Sequence, residues 1–243
     1  MRTVLVTGGN KGIGRACAQR LAADGHRVLV SGRDRVALDR VASEVDGVEP
    51  LAFDVTDERA WTALDIDIDI LVANAGIAHS APLHSTTVED WRRIYEVNAT
   101  GVFLACRALL PGMRSRGWGR IVAVASVASH HGVRYGTAYA ASKHAVLGLV
   151  RSIAVEVAGT GVTANSVCPG FVATEMTERS VARIVETTGR GEDQARAAIE
   201  NLQPLGRLVE PAEVADAVAF LAGDGAAAIN GQSVILDGGG IQQ

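Results

Sequence analysis

The chain has 243 residues, a formal net charge of −4 and 4% aromatic residues. That length fits one α/β domain with a substantial core. Both signs of charge are spread along it with no basic block, which gives nucleic-acid binding no support, and no apolar run reaches the ~18 residues of a membrane span.

Residues 3–6 form a short apolar run that reads as a buried parallel strand. Thr7-Gly8-Gly9-Asn10-Lys11-Gly12-Ile13-Gly14 follows, and then a helical stretch with Ala16, Ala18, Leu21 and Ala22 on its apolar side. Strand, glycine turn and helix aim backbone N–H groups and a helix N-terminus at a phosphate. The glycines admit close approach to a pyrophosphate. A tight turn with no ligand is the plainer alternative, and the position after a first strand argues against it. The second strand, 28–30, runs into Ser31-Gly32-Arg33. An acidic residue at such a strand end holds a ribose 2′-hydroxyl, whereas an arginine accommodates a 2′-phosphate. Arg33, with Lys11 in the turn, therefore favours NADP(H), with NAD(H) as the alternative. Asp34 is placed to neutralise Arg33.

Further strands are expected at 49–53, 70–73, 120–125, 163–167 and 233–236, alternating with helical stretches. This is a Rossmann-type, doubly wound, seven-stranded parallel sheet with helices on both faces. One domain spans 1–243. Two long helices, at 88–114 and 137–158, are apolar on more than one face and are expected to be deeply buried. The segment 175–208 carries two charged helical patches, 178–188 and 192–202, divided by Gly189-Arg190-Gly191. A long excursion at the carboxyl end of a sheet suits a substrate lid. Arg179, Arg183, Arg190 and Arg196 could meet phosphates of a CoA- or carrier-protein-bound substrate, or be neutralised by the acids beside them. Pro211 stands early in the helix that follows.

Cys17, Cys106 and Cys168 stand at unrelated spacings, with neither a metal-ligand pattern nor a disulfide framework. No metal is expected. Buried thiols in a reducing cytosol are the default, and a first strand so near the N-terminus leaves no room for a signal peptide.

Tyr139 and Lys143 share a helix face. A nearby cation favours the phenolate of a tyrosine that otherwise titrates near ~10. Ser126, upstream, can hold a carbonyl oxygen at the same point. Together they make a proton-transfer centre for a C=O/CH–OH couple. His130 and His131 lie on the loop between Ser126 and Tyr139 and are read as solvated, and His144 as structural.

These features resemble the classical short-chain dehydrogenase/reductase family along nearly the whole chain. Its glycine motif is matched by Thr7, Gly8, Gly12, Ile13 and Gly14, and its adenine-contacting pair by Asp54-Val55. Asn74-Ala75-Gly76 matches the motif after the fourth strand, and Asn98 the family's catalytic asparagine. Ser126, Tyr139 and Lys143 complete the tetrad, and Pro169-Gly170, Val172 and Thr174 match the turn after the sixth strand. The resemblance implies that Lys143 binds the nicotinamide ribose, Asn98 holds a water linked to Lys143, and Thr174 contacts the carboxamide. It also implies a homotetramer built on the central helices.

Within the family the chain is similar to bacterial 3-oxoacyl thioester reductases and polyketide ketoreductases. It departs in a short stretch between Asp54 and Asn74. The double-glycine motif of aromatic polyketide ketoreductases is also absent after Gly76. The expected function is NADPH-dependent reduction of a 3-oxoacyl thioester or related ketone. The alternatives are a catabolic alcohol or hydroxyacyl-CoA dehydrogenase and a non-catalytic dinucleotide-sensing scaffold.

Overall fold

The computed structural model describes residues 1–242. Each apolar run becomes a strand: β1 (Thr3–Thr7), β2 (Arg27–Gly32), β3 (Val48–Ala52), β4 (Ile70–Ala73), β5 (Gly119–Val124), β6 (Val162–Pro169) and β7 (Ser233–Leu236). They form one parallel sheet in the order β3-β2-β1-β4-β5-β6-β7. Successive side chains alternate between the faces. Thus Leu5 enters one core while Val4 and Val6 enter the other. Every residue of β5 and β6 is buried; β5 reads as an apolar run after Arg120, whereas β6 carries Thr163, Asn165 and Ser166 buried among its apolar residues.

Helices α1 (Gly12–Ala23), α2 (Arg35–Glu44), α3 (Glu58–Thr62), α4 (Val88–Tyr95), α5 (Gly101–Ser115) and α6 (Thr137–Glu156) precede β6. Helices α7 (Glu175–Thr188), α8 (Glu192–Glu200) and α9 (Pro211–Ala222) follow it. Cys17, Leu21, Val214, Val218 and Leu221 of α1 and α9 cover one sheet face. Cys106, Leu109, Val146 and Val150 of α5 and α6 cover the other. Among the described residues no helix is long and apolar enough to cross a membrane.

The expected helix 88–114 is interrupted. A single π-helical turn, Glu96–Thr100, joins α4 to α5 and carries Asn98. Such turns accommodate one extra residue and often mark functional sites. The short α3 is the one helix described between Asp54 and β4. The patches at 175–208 form α7 and α8, with Gly189 at φ +70 closing α7 in the left-handed conformation. They share a small core of Val181, Ala195, Ile199 and Leu208, with Phe171 and Ala173 packed against it. The excursion is thereby tied to the chain leaving β6.

The strand order reverses at β1–β4, the switch point at which doubly wound sheets bind ligands. The glycine turn, Asn74-Ala75-Gly76, Ser126 and Pro169-Gly170 all lie at carboxyl ends of strands around it.

Candidate active site

The glycine turn is closed on itself. Gly8 and Gly12 have φ of +65 and +53, and a Cβ on Gly14 would stand 2.2 Å from Gly8 O. Neither β-carbon nor left-handed strain is tolerated there. Asn74 Nδ2 donates to Thr7 O at 2.9 Å and Gly8 O at 3.2 Å. Thr7 Oγ1 in return accepts from the N–H groups of Asn74 and Ala75, both at 3.0 Å. The motif after β4 is thus bolted to the turn after β1. The first turn of α1 carries neither an acidic side chain nor a side-chain cap, so its N–H groups and dipole fit a phosphate.

Around the turn, Asn10 Oδ1 lies against Gly32 and Thr174 against Gly12. Arg33 is exposed, with its guanidinium 3.9 Å from Asp54. Asp34 does not neutralise Arg33: its carboxylate accepts from Ala37 N at 3.0 Å and caps α2. Lys11 is engaged elsewhere, with Nζ 2.6 Å from Glu175 Oε2 at the start of α7. Val55 is buried beside Gly101, and its carbonyl accepts from Trp61 Nε1 at 2.9 Å.

Ser126 lies two residues beyond β5 in an extended conformation, and its Oγ accepts from Ala128 N at 3.1 Å. Lys143 is buried. Its Nζ donates to Val124 O at 2.8 Å and lies 5.8 Å from the centre of the Tyr139 ring. Asn98 is clamped by its own amide: Oδ1 accepts from Ile77 N at 2.8 Å, and Nδ2 donates to Ile77 O at 2.9 Å and Ser142 Oγ at 3.0 Å. A Cβ on Gly76 would stand 3.3 Å from Asn98 Oδ1 and 3.6 Å from Lys143 Nζ. Four chain segments therefore converge on one point.

Burial lowers the Lys143 ammonium from 10.5 to about 8. The Tyr139 phenol moves opposite to the expectation of a cation-depressed group. Burial raises it, and a hydrogen bond with Ser126 works against that rise. Desolvation of the phenol is the larger effect, so burial decides the direction. Burial also holds the Cys168 thiol up at about 11, with Lys143 and the Ser126 backbone pulling it down; a protonated thiol there takes no part as a nucleophile.

His131 is exposed, with Nδ1 2.8 Å from Gly132 O. His144 Nδ1 lies 2.9 Å from Ala140 O, within its own helix, in keeping with a structural role. Three neighbours of the site escaped sequence reasoning. Ser142 bridges Asn98 and Tyr139 O. The Val124 carbonyl holds Lys143. Gln203 clamps Phe171 by accepting from its N–H at 3.0 Å and donating to its carbonyl at 3.1 Å. Only Ser142, lying between Tyr139 and Lys143, left a sequence signal, and a weak one.

A glycine turn at the switch point of a parallel sheet, with a serine, a tyrosine and a lysine gathered beside it, defines a Rossmann-type oxidoreductase. The family model described as enoyl-(acyl carrier protein) reductase matches residues 8–240. The chain is 40% identical to the 3-oxoacyl-[acyl-carrier-protein] reductase MabA of Mycobacterium tuberculosis, over 98% of this chain and 92% of that one. It is 35% identical to the D-beta-hydroxybutyrate dehydrogenase of Rhizobium meliloti, over 98% of each. Its fold superposes on a point variant of actinorhodin polyketide ketoreductase solved with NADPH, with a TM-score of 0.94 and 35% identity over 98% of this chain and 96% of that one. The chain belongs to the short-chain dehydrogenase/reductase family and is an oxidoreductase of hydroxyl and keto groups.

Proposed function

We propose that this chain is an NADPH-dependent reductase of a ketone borne on an acyl thioester, with the 3-oxoacyl group as substrate. The convergence of Ser126, Tyr139, Lys143 and Asn98 at the switch point carries the reading. The relatives named as 3-oxoacyl-[acyl-carrier-protein] reductase and polyketide ketoreductase support it.

The uncapped start of α1 and the closed glycine turn fit the coenzyme's pyrophosphate, and Arg33 and Lys11 fit its 2′-phosphate. Asp54 and Val55 are assigned to the adenine. Asn10, Ile13, the Asn74-Ala75-Gly76 segment, Pro169, Gly170, Val172 and Thr174 line its path towards Lys143. NADPH supplies the hydride. Ser126 Oγ donates to the substrate carbonyl oxygen and fixes its position. Tyr139 Oη gives its proton to that oxygen as negative charge develops on it. Burial keeps this phenol protonated at neutral pH, as a proton donor requires. Lys143 holds its positive charge beneath the ring, and Asn98 fixes the Ile77 backbone beside it.

Helices α5 and α6 leave Phe103 and Val155 exposed. A groove of about 650 Å³ between them is lined by Phe103, Cys106, Leu110, Leu149 and Ile153. This supports assembly of copies through these helices into a homotetramer. The three buried, free cysteines fit a reducing cytoplasm.

The experiment is NADPH and NADH oxidation at ~340 nm, the reduced-nicotinamide absorbance band, with acetoacetyl-CoA and a panel of small ketones. The thioester should be reduced with NADPH. Tyr139→Phe should lose about 10²–10⁴-fold in turnover while coenzyme affinity stays within about twofold. Turnover with NADH alone, or of alcohols alone with oxidised coenzyme, would overturn the reading in favour of a catabolic dehydrogenase.

A further inference from the structure

Among the described residues Tyr135 is the one non-glycine with a positive φ, at 62. It stands third in a turn closed by Gly136 N donating to Val133 O at 3.0 Å. Glycine or asparagine normally fills that position, because a Cβ makes it costly. The strain is not repaid by packing, since the Tyr135 side chain is 47% exposed. What the conformation achieves is placement. The Tyr135 carbonyl accepts from Ala81 N at 2.9 Å, pinning the loop after β4 to the loop after β5. The half-exposed ring belongs to the turn that leads into α6, four residues before Tyr139, with the Arg134 guanidinium 4.8 Å from its centre. Arg134 makes no ion pair among the described residues, and neither does Arg190, whereas Arg179, Arg183 and Arg196 of α7 and α8 are each paired with a glutamate.

Backbone strain of this kind persists where function requires it. An unneutralised guanidinium steadied on an aromatic face is a phosphate ligand held ready. We infer that Arg134 and Tyr135 form a substrate subsite that takes the phosphate of a phosphopantetheine arm, with the thioester's acyl end reaching Ser126 and Tyr139. The subsite rests on the thioester reading above and assigns the part of the substrate beyond the reacting carbonyl. The phosphate is common to CoA and to a holo-carrier protein. Arg134 supplies charge and bidentate geometry. Tyr135 supplies the platform.

The test measures affinity and turnover together in the full chain. CoA is titrated calorimetrically into the enzyme with oxidised coenzyme bound, for wild type, Arg134→Gln and Tyr135→Asn. Asparagine tolerates the left-handed region. Each variant should weaken CoA by about tenfold. Acetoacetyl-CoA and the acetoacetyl thioester of N-acetylcysteamine, which lacks the phosphate, are then compared as substrates. The ratio of kcat/KM between them should fall about tenfold in Arg134→Gln. Tyr135→Asn should raise Tm by roughly 2–4 °C while losing the same ratio, which an idle strained residue would not do. A holo-carrier protein in place of CoA identifies the source: equal losses on both assign the shared phosphate, and a loss on one alone assigns that carrier. CoA affinity and the substrate ratio unchanged in both variants overturn the subsite. Wild type inert towards every thioester overturns the thioester reading instead, and the CoA titration then decides the subsite alone.

Discussion

Asn98 Nδ2 and Ser142 Oγ meet at 3.0 Å, joining the π-helical turn to the helix that carries Tyr139 and Lys143. Ser142 in turn donates to Tyr139 O at 2.7 Å. The asparagine thus reaches the Tyr139 backbone through one hydroxyl, and Ile77 through both the oxygen and the nitrogen of its own amide. Removing the amide leaves buried backbone groups unsatisfied, at about 1–3 kcal/mol each. Asn98→Ala should therefore lose roughly 2–4 kcal/mol in urea unfolding and about 100-fold in kcat. Ser142→Ala, which keeps the Ile77 clamp, should lose only about 1 kcal/mol and less than about tenfold in kcat. Equal losses in the two would show that the Ile77 clamp contributes nothing of its own.

Lys143 gives the protein a pH signature. Its pKa falls from 10.5 to about 8 on burial. Below about 8 the folded and unfolded chains both carry the proton, and the buried charge costs its full amount. Between about 8 and 10.5 the folded chain has released a proton that the unfolded chain still holds, so stability rises with pH. At ~1.4 kcal/mol per pKa unit the whole span is worth about 3 kcal/mol. Three buried thiols oppose it above about 9, since burial raises Cys17 and Cys106 to about 12 and Cys168 to about 11 and each makes stability fall as pH rises, and Tyr139 joins them above about 10. Measured from pH 7 to 10, the urea midpoint of the wild type should therefore climb relative to that of Lys143→Met, which keeps the thiols and Tyr139. Lys143→Met should match or exceed the wild type at pH 7 and lose turnover. A difference between the two that stays flat from pH 8 to 10 would place the ammonium's pKa near its unburied value.

The centre of the sheet was legible because burial on both faces leaves strands such as β1, β2 and β4 as apolar runs, as Ile70–Ala73 shows most plainly. The Tyr139–Lys143 pair was legible because the helix period puts i and i+4 on one face. Asn98 came only from resemblance: the π turn that aims it has no periodic signature, since one extra residue changes the backbone and not the apolar pattern. For the same reason the stretch 88–114 reads as a single helix. The direction of the Tyr139 shift is not legible in the sequence, because spacing shows the neighbouring cation but not the burial of the phenol that outweighs it. The partner of Lys11 is 164 residues away on α7, beyond any local pattern.

Gly14 offers a test of the phosphate turn. A Cβ there would stand 2.2 Å from Gly8 O and 2.5 Å from Asn74 Nδ2, so the turn cannot keep its shape. Gly14→Ala should destabilise by about 1–3 kcal/mol, with coenzyme affinity falling at least about tenfold. Gly25→Ala is the control. Gly25 has φ of +84 but nothing within 4 Å of a Cβ, so it should lose stability through strain alone and leave coenzyme affinity unchanged. Protein fluorescence titrated with NADPH reads the affinity, and a Gly14 variant binding as well as wild type would remove the turn from the coenzyme site.

Coenzyme choice should depend on three charged residues, two of them already bonded to one another. Arg33 stands free of Asp34, so Arg33→Ala should raise Kd for NADPH about tenfold and leave NADH unchanged. Lys11 is shared: in the protein alone it pairs with Glu175, which also pairs with Arg179. Engaging a 2′-phosphate means withdrawing it from that carboxylate. Both partners are largely exposed, so the competition is worth little, and Glu175→Gln should tighten NADPH by about two- to fivefold. The gain should shrink in ~0.5 M salt, which screens exposed pairs. Lys11→Gln should weaken NADPH and cancel the effect of Glu175→Gln in the double variant, because the carboxylate acts on the coenzyme only through Lys11. Additive effects in that double-mutant cycle would mean that Glu175 repels the phosphate directly.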